Sequence, residues 1–161
     1  YNPVFYTFIT AHPKCIKIWN AQTGALQSIF RDLSHKDITC ICLDERKRKL
    51  FVGDSRGRIF SINIKNGAKM KKFKKGDKSA NKDKEDISSL FYYNSGSQCN
   101  LLAASWDGKV RLFDDGTTDE EGSKKYTMSK HTDAVTYLDF KHENQLCASC
   151  GDDGHVYIFN Y

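Results

Sequence analysis

The chain has 161 residues, with 25 Lys and Arg against 20 Asp and Glu, a net charge of +5 and 39% hydrophobic residues. No apolar run approaches the roughly 20 residues that a bilayer-spanning helix needs. Six cysteines (Cys15, Cys40, Cys42, Cys99, Cys147 and Cys150) fall mostly inside apolar segments, which suits small buried thiols in a reducing compartment.

In chain order, short apolar segments alternate with polar turns. Thr7-Phe8-Ile9 comes first, then Ile16-Lys17-Ile18-Trp19-Asn20 and Leu26-Gln27-Ser28-Ile29-Phe30. The second group is Ile38–Leu43, Leu50–Gly53, Ile59-Phe60-Ser61-Ile62-Asn63 and Lys69–Phe73. The third is Ile87–Tyr92, Leu101–Ala104, Val110-Arg111-Leu112-Phe113-Asp114 and Lys125–Met128, and the last is Val135–Phe140, Leu146–Ser149 and Val156-Tyr157-Ile158-Phe159-Asn160. Segments this short with Gly-containing turns predict strands. Within each group one phrase recurs: β-branched, any, mostly apolar, bulky apolar, Asn or Asp. It starts at Ile16, Ile59, Val110 and Val156, at intervals of 43, 51 and 46 residues. That period predicts an all-β fold of four-stranded antiparallel propeller blades.

Asp107-Gly108-Lys109-Val110-Arg111-Leu112-Phe113-Asp114 and His131-Thr132-Asp133-Ala134-Val135 resemble the ending and opening of a WD repeat. Trp19-Asn20 is similar to the dipeptide that names that family. The resemblance covers almost the whole chain and implies a β-propeller of WD-repeat blades. The expected form is a partial ring of about three to four blades of a larger propeller. Its divisions are a partial blade over 1–30, blades over 31–74 and 75–129, and a partial blade over 130–161. The end blades are expected to leave Phe5, Phe8, Ile9, Tyr157 and Phe159 uncovered. The family's structural network of His, Ser or Thr, Asp and Trp is implied in the last repeat by His131, Ser149 and Asp153, with Phe159 in place of Trp. In the first full repeat His35 stands with Val52, Arg56 and Ile62, and in the middle one Asp107 stands with Lys84, Ala103 and Phe113. His131, Ser149 and Asp153 are read as this network and not as a hydrolase triad, so no catalytic residue is expected.

The excess charge is local. Nine lysines against four acids lie between Lys65 and Asp86, and the rest of the chain is neutral. Lys74, Lys75, Lys78, Lys82 and Lys84 form a long connection, read either as a solvated insertion or as contact with an acidic surface. The turn residues Arg56, Asp107 and Asp153 are expected to share its rim. The acidic stretch from Asp114 to Glu121 is expected on the opposite rim. Phe73-Lys74-Lys75-Gly76 is similar to the Phe-Arg-Arg-Gly motif of phosphoinositide-binding propellers, but lysine lacks the arginine fork. Nucleic acid is not expected, because the basic loop has no interleaved aromatics. Cys147 and Cys150 form one C-x-x-C, short of the four ligands of a zinc site. No metal or cofactor is expected.

The stretch from Ile38 to Asp54 resembles a subfamily of large WD-repeat proteins, often with an EF-hand region, that is associated with cilia. That resemblance implies a non-catalytic interaction scaffold in the cytoplasm, a structural part of the ciliary axoneme with tubulin or axonemal proteins as partners. The alternative is a module recognising a peptide, a phosphoinositide or an anionic surface through the lysine-rich loop; membrane contact is otherwise not expected.

Overall fold

The computed structural model describes residues 1–76, 84–96, 98–116, 120–141 and 146–160. Lys78 and Lys82 therefore lie outside the described residues. Among the described residues fourteen strands follow one another: β1 (Thr7–His12), β2 (Cys15–Asn20), β3 (Leu26–Arg31), β4 (Ile38–Leu43), β5 (Lys49–Asp54), β6 (Ile59–Asn63) and β7 (Lys69–Phe73), then β8 (Ile87–Ser95), β9 (Gln98–Ser105), β10 (Val110–Asp114), β11 (Glu121–Met128), β12 (Val135–Lys141), β13 (Leu146–Gly151) and β14 (Val156–Asn160). The four recurring phrases are β2, β6, β10 and β14. Among the described residues there is no helix.

Consecutive strands pair antiparallel as β1-β2-β3, β4-β5-β6-β7, β8-β9-β10-β11 and β12-β13-β14. The fold is all-β, a partial ring of propeller blades. A short parallel contact of Glu121 with Lys72 and Gly122 with Phe73 joins the two complete four-stranded groups along their outer strands. Gly122 is required there, because a side chain would collide with the Phe73 ring.

The alternation of a strand, with side chains pointing to opposite faces, is put to a double use. In β5, Leu50 and Val52 enter the core shared with the first sheet, while Phe51 between them enters the core shared with β8–β11. In β9, Leu101 and Ala103 face one neighbour and Leu102 and Ala104 the other. In β10, Phe113 faces the first and Val110 and Leu112 the second. Three apolar layers thus separate four sheets. The two end sheets show apolar outer faces. Phe8 is 50% exposed, as expected, and Phe5 and Ile9 are half-buried. At the other end the expectation is corrected: the exposed side chains are Val156 and Ile158, not Tyr157 and Phe159, because alternation turns the latter pair inward.

The recurring phrase also has a local reason. Its closing Asn or Asp caps the turn that follows. The Asn20 side-chain oxygen accepts the amides of Gln22 and Thr23, Asn63 accepts that of Lys65, and Asp114 accepts that of Gly116. Such caps are the local Asx hydrogen bonds that favour these residues in turns.

A second repeat lies in the innermost strands. β4, β8 and β12 each carry an irregularity at their second residue: Thr39, Ser88 and Thr136. The bulge leaves these residues out of the paired register and re-aims their side chains. Thr39 then donates to the Ile87 carbonyl at 2.6 Å, and Ser88 to the Val135 carbonyl at 2.5 Å. Each hydroxyl reaches the first residue of the next inner strand and ties one sheet to the next. Thr39→Val and Ser88→Ala should each lower unfolding stability by about 1 kcal/mol, the net worth of one such hydrogen bond, as read by urea denaturation of the full chain.

Candidate functional site

The turns β5–β6, β9–β10 and β13–β14 lie at one end of the sheets. Each is anchored by an amide that donates to the residue just before an inner strand: Ser55 to Asp37, Trp106 to Asp86 and Asp152 to Ala134, all at 2.9 Å. The segments leading into β4, β8 and β12 therefore share this rim with the turns.

In the last sheet the expected network is assembled. His131 Nδ1 lies 3.0 Å from the Asp153 carboxylate, and His131 Nε2 lies 2.8 Å from Ser149 Oγ. Asp153 also accepts the amides of Thr132 and His155, at 3.0 and 3.1 Å. No indole closes the network. Tyr157, which pairs with Ser149 in the ladder, meets the His131 ring edge-on at 4.7 Å. Sequence matching pointed to Phe159 for the aromatic; the register singles out Tyr157. The Asp153 side chain is 3% exposed, so it does not present a carboxylate to a partner. Desolvation pushes its pKa up, but the His131 hydrogen bond and the two amides outweigh this and bring it to about 2.

The middle turn is built differently. Asp107 takes a fork from Arg111, at 3.1 and 2.7 Å, and Arg111 is 1% exposed. Lys75 approaches the same carboxylate at 3.8 Å and donates to the Glu85 carbonyl at 3.1 Å. Burial alone would raise the Asp107 carboxyl; the Arg111 fork and the Lys75 charge overcome that and hold it below the ordinary range. Burial lowers Lys75, opposed by Asp107. Lys75 crosses against Gly57, whose φ of +70° and missing side chain let it pass. Lys75 and Asp107 are thus internal ties and not rim contacts, which corrects both expectations. Only Lys74 of the Lys74-Lys75 pair faces solvent, leaving the phosphoinositide resemblance with one lysine.

In the first full repeat His35 is exposed and joins no network. Its place is taken by Ser34, which donates to Asp54 at 2.7 Å. Asp54, fully buried, accepts the amides of Arg56 and Arg58 at 2.9 and 3.0 Å. The sequence reading missed Asp54. The signal was present in Asp54-Ser55-Arg56-Gly57, a turn with Asp first and Gly fourth.

The two insertions meet at one point. Lys74 pairs with Glu121 at 2.5 Å, where β7 ends beside the start of β11. Asp115 is held between sheets by Lys49 at 2.8 Å and by Lys71, which donates to its carbonyl at 2.8 Å. What the rim does expose is Arg56, Trp106 (44% exposed) and the Lys84–Asp133 pair at 2.7 Å.

The stacked antiparallel sheets are blades of a β-propeller. The family model described as "WD domain, G-beta repeat" matches residues 78–114 and 122–160. A similar protein is the Cilia- and flagella-associated protein 337 B of Tetrahymena thermophila, 42% identical over 69 residues. The match covers 43% of this chain and 6% of that protein's length.

Two outcomes are expected. Arg111→Met strips the fork from a buried carboxylate and should cost about 3 kcal/mol or more in chemical denaturation, as for a broken buried ion pair. Asp153 titrates lower in the fold than its ordinary 3.8. Its contribution is fully present above about pH 4 and disappears as pH falls through about 2. Asp153→Asn should destabilise the chain at neutral pH, with the gap closing over that window in acid titrations followed by circular dichroism.

Proposed function

We propose that this chain is part of a non-catalytic interaction scaffold of the ciliary axoneme, binding other proteins through the rim of Arg56, Trp106, Lys84 and Asp133. The same reading divides it into a partial blade over 1–30, blades over 31–74 and 75–129, and a partial blade over 130–161. The observation that carries it is the half-exposed Trp106 on a rigid turn, set among charges of both signs. Trp and Arg are the side chains enriched in protein-binding hot spots. The polar groups that resemble catalytic ones support this reading too. His131, Ser149 and Asp153 are buried and spent on one another and on backbone amides. The likeness to a cilia- and flagella-associated protein supports the setting, and tubulin or axonemal proteins are the partners to test.

The test is co-sedimentation of the full chain with microtubules and with salt-stripped axonemes. Trp106→Ala combined with Lys84→Gln should reduce binding roughly tenfold or more, at the scale of a hot-spot loss. Both side chains are surface groups, so the thermal midpoint should stay put. Binding that survives the pair of substitutions removes the rim from the proposal.

A further inference from the structure

A cleft of about 390 Å³ opens at the outer side of the same end of the second sheet, between its outer strands and the segment joining β3 to β4. Its lining is unusual in charge. β6 and β7 are paired so that Phe60 stands opposite Lys72, and just beyond the paired ends of the two strands Arg58 and Lys74 also line the cleft. The Lys69 ammonium lies over the Phe60 ring, 5.8 Å from its centre. Leu33, Ile59, Phe60 and Phe73 are buried and form an apolar floor. Four cations therefore surround an apolar recess.

Their commitments differ. Arg58 is drawn to Asp54 at 3.4 Å, and Lys74 to Glu121. Lys69 and Lys72 are exposed, and among the described residues no carboxylate pairs with either ammonium. Of the two acids in the lining, Asp54 is turned into its own turn and toward Ser34, which leaves Asp32 at the edge. The segment that concentrates the chain's net charge thus places two uncommitted lysines on the wall of a recess with an apolar base.

We infer that this cleft binds an acidic peptide, one apolar side chain entering the recess while flanking carboxylates meet Lys69 and Lys72. The charge complementarity selects the partner. A lipid headgroup fits less well, because the cations line a recess instead of a protruding face and the one arginine is held by Asp54. A single-stranded nucleic acid would need exposed rings to stack on, and Phe60 is 7% exposed. The inference uses other residues than the rim proposed above and stands or falls separately from it.

The experiment is fluorescence anisotropy of the full chain with a labelled peptide of sequence Glu-Glu-Asp-Phe-Glu-Glu. Lys69→Glu with Lys72→Glu should weaken binding roughly tenfold, because two surface attractions become repulsions. Replacing the peptide's Phe with Ser should weaken it several-fold. Affinity should fall as salt passes about 0.1 M, where the screening length shortens to about 10 Å. Trp106→Ala should leave this binding unchanged while it lowers microtubule binding. A change of less than about twofold on the double charge reversal, within the reach of one weak surface pair, overturns the inference. So does retention on phosphatidylserine vesicles that disappears with Lys69→Glu and Lys72→Glu while the peptide does not bind.

Discussion

Every sheet in this chain is apolar on both faces, and that constraint organises the rest. A strand such as β5 places Phe51 on one side and Leu50 and Val52 on the other, so one partner sheet cannot bury it. Burying a large aliphatic or aromatic side chain is worth about 1.5–3 kcal/mol, and the gain is available only when sheets stack in series. Stability in such an arrangement is carried by the interfaces between repeats as much as by the repeats themselves.

Once the sheets are stacked, polar groups at their edges fix how they sit. The inner edge is tied by the bulged hydroxyls of Thr39 and Ser88. One end of the second and third sheets is tied by Lys75 to Asp107, the other by Lys49 and Lys71 to Asp115. Buried ion pairs recover little net stability after desolvation, but breaking one is costly. Their effect here is to penalise any slip between the two sheets, since a slip would take Asp115 away from Lys49 and Lys71 and Lys75 away from Asp107. The parallel contact at Gly122 and Phe73 completes the fastening at the outer edge.

The turns show how one geometric task is met by different chemistry. Each rim turn needs acceptors for amides that the ladder leaves open. The last repeat uses Asp153 with His131; the first full repeat uses Asp54 with Ser34; the middle one buries Asp107 under Arg111 and Lys75. The side chains consumed by these tasks are unavailable to partners. The surface left over, Trp106 and Lys84 on the rim and Lys69 and Lys72 in the cleft, is where recognition can occur.

The sequence by itself determined the strands and their grouping. Apolar alternation, Gly turns and the closing Asn or Asp of each phrase act over a few residues, so β2, β6, β10 and β14 lay where the pattern placed them. The grouping of His131, Ser149 and Asp153 came from the resemblance to a WD repeat, not from spacing alone. Only the tertiary structure decided the fate of the charges. Lys74, Lys75 and Lys84 are alike in sequence, yet one pairs with Glu121 on a neighbouring strand, one is buried against Asp107 and one stands at the rim with Asp133. The partners of each lie far away in the chain. A long flexible side chain takes its role from what stacking brings within about 4 Å, which no local pattern encodes. The same holds for Trp106, whose exposure follows from the direction of its turn, and for the cleft at Phe60, which exists only where the β3–β4 segment meets the second sheet.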